Sequence, residues 1–265
     1  MSDDVPSFDP PIRIVLVGTQ HPGNIGSAAR AMKTMGLTRL VLVAPEKAPD
    51  HDTVAMSAGA DDLVAAAPVF ATLAEAVADC AFVLGCTARS RRVQLEQLDP
   101  RQAAARVLEF APAGPVALVF GRERTGLDNN ELQLCHAAVH IPSDPAFSSL
   151  NLAAAVQVLS YEVRMALLGE GGAPAAPASV APAREGLAPH AELEGFFAQL
   201  AEALDAIDFH KGRAPDSAMR KLRRLYLRAG LDSAEVRLLR GILADTQRMA
   251  MLAGQTDVSD RAPKA

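Results

Sequence analysis

The sequence predicts an α/β protein whose core is a parallel sheet, followed by a small α-helical domain. Two observations predict the sheet. Five short runs rich in Val, Ile, Leu and Ala recur between Ile12 and Ile141, and the stretches between them carry apolar residues at helical spacing. A third observation predicts the second domain: helical patterning that ends at Leu168 gives way to a Gly/Pro/Ala-rich stretch, then resumes at Leu193.

The strand-like runs are Ile12–Val17, Leu40–Val43, Ala81–Leu84, Val116–Phe120 and Ala138–Ile141. Each stops at a turn residue, with Gly18, Pro45, Gly85, Gly121 and Pro142 close behind. Ligands of parallel sheets collect at the carboxyl ends of the strands, so the loops after these runs are where chemistry is expected.

The first such loop, Gly18 to Gly23, enters a helix with Ile25, Ala28, Ala29 and Met32 inward and Ser27, Arg30 and Lys33 on its polar face. Asn24 stands where an N-cap is expected. A dinucleotide fingerprint is absent. Gly18 and Gly23 fit the glycine spacing of a phosphate-binding loop, but Asn24 and Ile25 replace the residues that would touch phosphate and magnesium, which argues against ATP hydrolysis.

Two further strand ends, Leu84 to Arg92 and Phe120 to Leu127, each combine a glycine with arginines. The third, Ile141 to Asn151, brings Ser148 and Ser149 to the start of the apolar helix Leu152–Leu168. Capping accounts for one serine. It does not account for small residues at three separate strand ends, two of them paired with arginine.

Length and composition agree with this division. A chain of 265 residues suits one α/β core plus an appendage. Its 49% hydrophobic and 22% charged content is that of a packed protein rather than a disordered one. No apolar run reaches the roughly 18 residues a membrane span needs, and Met1–Pro10 is acidic without an apolar signal core. A cytoplasmic protein with no membrane partner is expected. Cys80, Cys86 and Cys135 are odd in number and none are spaced as Cys-x-x-Cys, so neither a disulfide framework nor a metal site is implied. Cys135 and His136 fall together on a predicted helix, where adjacent side chains diverge and form no thiolate pair.

We read residues 1–168 as the α/β domain, 169–190 as a flexible linker and 191–265 as the helical domain. Between Gly169 and Pro189, 21 residues include four Gly, four Pro and seven Ala, too little side chain to hold one structure. Beyond it, Leu193, Phe196, Phe197 and Leu200 share a helical face, the loop Lys211–Asp216 follows, and periodicity returns from Met219. Asp232–Glu235 has the form of a capping box. The chain carries a net charge of −5, yet between Lys211 and Arg240 nine Lys or Arg stand against three Asp or Glu. Within Arg220–Arg228, Leu222 and Tyr226 mark an apolar face, and Arg220, Arg223 and Arg224 lie off it.

Taken together, Asn24–Arg30, Phe120–Leu127 and Ile141–Asn151 resemble, in order, the three motifs of the SpoU branch of the SPOUT methyltransferases. Thr87–Arg91, Lys221–Leu225 and Leu239–Leu243 are similar to the TrmJ type within that branch, from which Cys86, Asp144 and Phe147 depart where Thr, Asn and Tyr are common. The resemblance implies a C-terminal trefoil knot in the sheet, a homodimer, and S-adenosyl-L-methionine as cofactor. It implies 2′-O-methylation of the pyrimidine that opens the tRNA anticodon loop, with no DNA partner.

By the same resemblance Cys86, Thr87, Ala88, Gly121, Ile141, Ser148, Ser149 and Leu150 contact the cofactor. Arg30, Asn24, Glu123, Ser149 and Asn151 form the catalytic set, with His21 a secondary candidate base. A guanidinium, with a pKa above about 12, orients a phosphate or stabilises an oxyanion better than it removes a proton. Arg89, Arg91, Arg122, Arg220, Lys221, Arg223 and Arg224 are the expected RNA contacts. Two other readings share these features: a ribosomal-RNA ribose methyltransferase of the same branch, and a non-catalytic RNA-binding protein on the same fold.

Overall fold

The structure is a computed structural model that describes residues 10–88, 95–169, 187–212 and 214–259. The chain divides into two compact units, residues 1–185 and 186–265.

The first unit contains β1 (Ile12–Val17), α1 (Pro22–Thr34), β2 (Arg39–Val43), α2 (His51–Ser57), α3 (Asp61–Ala66), β3 (Val69–Phe70), α4 (Leu73–Ala76), β4 (Phe82–Cys86), β5 (Glu96–Leu98), α5 (Pro100–Phe110), β6 (Val116–Phe120), α6 (Asn129–Gln133), β7 (Ala137–Val139) and α7 (Leu152–Leu167). Its seven strands form one parallel sheet in the order β3-β2-β1-β6-β4-β7-β5. All five runs seen in the sequence are strands. The two strands that the sequence does not announce, β3 and β5, are the sheet's edges, two and three residues long and largely exposed. So short an edge leaves no burial pattern to read.

Alternation within the strands sends side chains to opposite faces. Val15, Val17, Val41, Val43, Val83 and Val119 share one core with Leu73 of α4, its C-cap Val77 and Leu132 of α6. The alternate residues Ile14, Leu16, Leu40, Leu42, Leu84 and Leu118 are also buried. They face the other side, where α1 packs on α7 and α7 on α5. Ile25, Ala28, Ala29 and Met32 are the buried residues expected on α1, each at 0% exposure. Gly26 lets α2 lie against the same helix: a Cβ there would stand 2.0 Å from the Thr53 carbonyl oxygen.

The second unit consists of α8 (His190–Ala206), α9 (Pro215–Ala229) and α10 (Ser233–Ser259). Leu193, Phe196, Phe197, Leu200 and Val236 form its core, against which Met219, Leu222, Tyr226, Leu239 and Leu243 pack. The Phe196 and Tyr226 rings meet edge to face at 4.9 Å between centroids. Asp232 and Glu235 cap α10 reciprocally, with the Glu235 amide donating to Asp232 Oδ1 at 2.7 Å and the Asp232 amide to Glu235 Oε2 at 3.0 Å.

Candidate active site

Strand order places the site. Because β4 lies between β6 and β7 in a parallel sheet, the loops leaving all three emerge side by side at one edge. They enclose a cavity of about 510 Å³, whose walls include Cys86, Thr87 and Ala88 after β4, Gly121 to Asp128 after β6, and Ile141, Ser148, Ser149 and Leu150 after β7. Every residue expected to contact a cofactor lines this one space. A volume of that order holds a nucleoside-sized ligand.

Two local features give the cavity its floor. Gly121 is where the chain nearly touches itself: a Cβ added there would stand 2.2 Å from Gly126 C and from Leu127 N. The Gly126 amide returns to the Arg122 carbonyl at 2.8 Å, closing the loop tightly. The Thr87 hydroxyl is buried without a hydrogen-bond partner among the described residues. Such an unsatisfied group in a cavity wall is suited to a ligand's polar atom.

Beside the cavity a chain of hydrogen bonds joins the three motif loops. The Asn24 amide donates to Glu123 Oε1 at 2.8 Å, and the Asn151 amide donates to Asn24 Oδ1 at 3.2 Å. Asn151 Oδ1 in turn accepts from the Ala153 and Ala154 amides at 2.9 and 3.4 Å, so Asn151 is the N-cap of α7. Ser148 and Ser149, just before this cap, line the cavity.

Asn24 is not an N-cap, contrary to the expectation from its position. His21 occupies that place, and its side chain makes no capping bond. The cap comes instead from another loop: Glu123 Oε2 accepts from the Gln20 amide at 2.9 Å and Oε1 from the His21 amide at 3.2 Å. A carboxylate there also complements the positive end of the α1 dipole. Sequence pattern favours local caps, and this one is supplied by a residue about a hundred positions away.

Burial alone would raise the Glu123 carboxyl, but the bonds from Asn24 and from the Gln20 and His21 amides outweigh it and hold the group below the usual carboxylate range. The stability it contributes is therefore present above the pH at which a free carboxyl titrates and is lost as pH falls through the lowered value. Glu123→Gln should cost about 1–2 kcal/mol at neutral pH, the order of one charged hydrogen-bond partner. Thermal unfolding followed from pH 7 into acid should show the two midpoints converging; a constant gap would separate Glu123's contribution from its ionisation.

The arginines are divided by the fold. Arg122 donates to Glu131 Oε1 and Oε2 at 3.0 and 3.1 Å, and its side chain packs over Gly18, where a Cβ would stand 2.7 Å from Nε. Gly18 also has φ +59°, a left-handed conformation that disfavours a side chain. Arg122 thus ties two loops together, with its side chain 31% exposed along the cavity wall. Arg124, two residues on, lines the cavity, is exposed and has no polar partner among the described residues. Nothing in the sequence separates it from Arg122, because the Glu131 pairing that distinguishes them exists only in the fold. Arg89 and Arg91 lie outside the described residues.

On α9 the cations are divided in the same way. Arg223 pairs with Glu194 and stacks over the Phe197 ring at 4.5 Å, so it belongs to the unit's own packing. Arg220, Lys221 and Arg228 are exposed, with Arg224 half-buried among them. At 100° per residue these four fall within about a 100° arc of the helix.

Arg30 is exposed on α1, without a polar partner among the described residues, and is not among the residues lining the cavity. His21 is likewise exposed and outside the lining. Cys135 and His136 are not on a helix but in the connection from α6 to β7. Cys135 is buried, its thiol directed to the Glu131 carbonyl at 3.5 Å, while His136 Nδ1 accepts from the Val83 amide at 3.1 Å. Burial pushes the Cys86 thiol up to about 12, and burial is also the largest cause of a rise to about 12 at Cys80. At neutral pH both are thiols, not nucleophilic thiolates.

Residues 11–161 match the family model described as the SpoU rRNA Methylase family, and residues 191–255 match the C-terminal domain of the tRNA methyltransferase TrmJ. The tRNA (cytidine/uridine/adenosine-2′-O-)-methyltransferase TrmJ of Pseudomonas aeruginosa strain UCBPP-PA14 is 53% identical over 243 residues, covering 90% of this chain and 95% of the relative. The tRNA (cytidine/uridine-2′-O-)-methyltransferase TrmJ of Yersinia enterocolitica is 49% identical over 240 residues, 89% of this chain and 91% of the relative. Among solved structures, TrmJ from Z. mobilis ZM4 superposes with a TM-score of 0.75 at 37% identity, over 88% of this chain and 97% of that one.

Proposed function

This chain belongs to the SpoU methylase family, in its TrmJ group, and from that membership we propose that it transfers a methyl group from S-adenosyl-L-methionine to the ribose 2′-hydroxyl of the pyrimidine that opens the tRNA anticodon loop. The observation that carries this reading is the cavity at the ends of β4, β6 and β7, with Glu123, Asn24 and Asn151 hydrogen-bonded to one another across three loops beside it.

The residues present fit the cofactor. Cys86, Ile141, Leu127 and Leu150 provide apolar walls for a purine, Gly121 admits close approach of backbone, and the unsatisfied Thr87 hydroxyl offers a polar contact. When bound, the cofactor supplies a methyl group on a sulfonium, an electrophile that needs no further activation. What remains for the protein is alignment and exclusion of water. Glu123 already accepts three hydrogen bonds, so it acts as a positioning group that sets Asn24, and through it Asn151, rather than as a base. Arg30 donates to the reacting oxygen or its neighbouring phosphate and stabilises the negative charge that develops there. Neutral thiols at Cys80 and Cys86 offer no nucleophile for methylation at a ring carbon, which favours the ribose.

We further propose a homodimer whose reaction centre combines the cavity of one chain with Arg30 of the other, since Arg30 stands outside its own chain's cavity lining. The trefoil knot is supported by strand order: β7 enters between β4 and β5, both earlier in the chain. Residues 1–168 hold cofactor and ribose; the linker ends short of the 190 read from the sequence, since Ala188 packs in the second unit's core and α8 starts at His190. That helical unit grips the rest of the tRNA through Arg220, Lys221, Arg224 and Arg228, with Arg124 adding a contact beside the cavity. Among the described residues no helix is long and apolar enough to cross a membrane; a cytoplasmic place of action follows from the tRNA substrate.

The test is transfer of labelled methyl groups to purified tRNA and rRNA, followed by location of the blocked ribose. Label on a cytidine or uridine ribose at the first position of the anticodon loop is expected; exclusive labelling of rRNA overturns the reading. Changing Arg220, Lys221, Arg224 and Arg228 together to Gln should weaken tRNA binding at least tenfold and flatten the log K against log salt slope by about 2 to 4, at roughly 0.7–0.9 per phosphate contact. An unchanged slope returns α9 to a purely structural role.

A further inference from the structure

The loop between β7 and α7 carries an exposed aromatic side chain that the described residues leave uncovered. Phe147 is 84% exposed, the most exposed large apolar residue among those described. In water such a side chain forgoes the roughly 1.5–3 kcal/mol that burial would bring. Its backbone is nonetheless held firmly. Asp144 Oδ1 accepts from the Ala146 amide at 2.7 Å, the Asp144 carbonyl accepts from the Phe147 amide at 3.0 Å, and the Ser143 hydroxyl donates to the Ser148 carbonyl at 3.0 Å. Pro142 and Pro145 stiffen the same turn. The ring is therefore presented on a fixed turn.

Position gives the ring its partner. The next three residues, Ser148, Ser149 and Leu150, line the cavity, and Phe147 itself does not. The exposed Arg124 guanidinium also borders that cavity. A rigid exposed aromatic together with a cation at the mouth of a reaction centre is the combination that binds single-stranded nucleic acid, with bases stacked on the ring and phosphates met by the arginine.

We propose that Phe147 is a stacking platform for an unpaired nucleobase adjoining the methylated nucleotide, so that the enzyme selects a loop in which that base can leave its stack. The proposal rests on the assignment of an RNA substrate above. Stacking tolerates any base, so the ring selects unstacked, accessible nucleotides over duplex rather than one letter over another.

The chain contains no tryptophan, which makes the test direct. Phe147→Trp gives a single indole whose fluorescence should be quenched by saturating tRNA and whose methyl transfer should stay within about threefold of the parent. Phe147→Ala and Phe147→Leu should both lower kcat/KM for tRNA by about 5- to 150-fold, the equivalent of one stacked base. Cofactor affinity and sedimentation coefficient should stay unchanged. Rescue by Leu, or dissociation of the assembly on Phe147→Ala, would show an apolar contact between copies and overturn the proposal, as would unquenched fluorescence. If the parent enzyme transfers no methyl group to tRNA, the substrate assignment itself fails; if it does and the variants match it, only the stacking role fails.

Discussion

Arg30→Ala lowers methyl transfer to tRNA by about 10²–10³-fold while cofactor affinity, read by calorimetry, stays unchanged. The magnitude is that of removing one donor to a developing oxyanion. Arg30 is outside the cavity lining, so no wall of the cofactor site is lost with it. A guanidinium has five donors and no acceptor, which suits it to the oxygen that gains charge and not to proton removal. Unchanged turnover would take Arg30 out of the reaction, and a parallel loss of cofactor affinity would make its role architectural.

Gly121→Ala weakens cofactor binding by a different physical route. The added methyl group would overlap Gly126 C and Leu127 N at 2.2 Å, and both are backbone atoms that cannot swing aside. The loop must open, at about 1–3 kcal/mol of the kind that overpacking costs. In a chain of this size that is a few degrees of unfolding midpoint at about 2–4 °C per kcal/mol. Because the loop is the cavity floor, cofactor affinity should fall at least tenfold; calorimetry and thermal unfolding on the same preparation measure both. Unaltered affinity would show that the close approach is not part of the binding site.

The two variants together test how the reaction centre is assembled. If Arg30 serves the cavity of the opposite chain, mixing Arg30→Ala with Gly121→Ala chains creates one complete centre in each mixed dimer. Random exchange between twofold-symmetric partners then recovers about a quarter of the wild-type rate. If Arg30 serves its own chain's cavity, every centre in the mixture is defective and no activity returns.

Much of this protein is legible before any coordinates. The five apolar runs are strands and the inward face of α1 is as its spacing requires, because burial imposes a period on residues that must reach the core. The residues expected around a cofactor share one cavity for a similar reason: a parallel sheet delivers the loops of neighbouring strands to a common edge. Edge strands β3 and β5 escape notice because exposure imposes no period on them.

What the one-dimensional pattern could not supply are pairings between distant residues. Asn24 looks like a cap by its local position, yet the carboxylate that caps α1 is that of Glu123. Arg122 and Arg124 look alike in sequence; only the fold turns the first onto Glu131 and Gly18 and leaves the second exposed at the cavity. Arg223 looks like part of a cationic face until α8 is laid beside α9 and brings Glu194 and Phe197 to it. Periodicity and motif order reside in the chain because they reflect near neighbours and the choice between core and solvent. The partner of each charge was decided by tertiary structure, because a hydrogen bond or ion pair exists only once segments far apart in sequence stand within about 3 Å of each other.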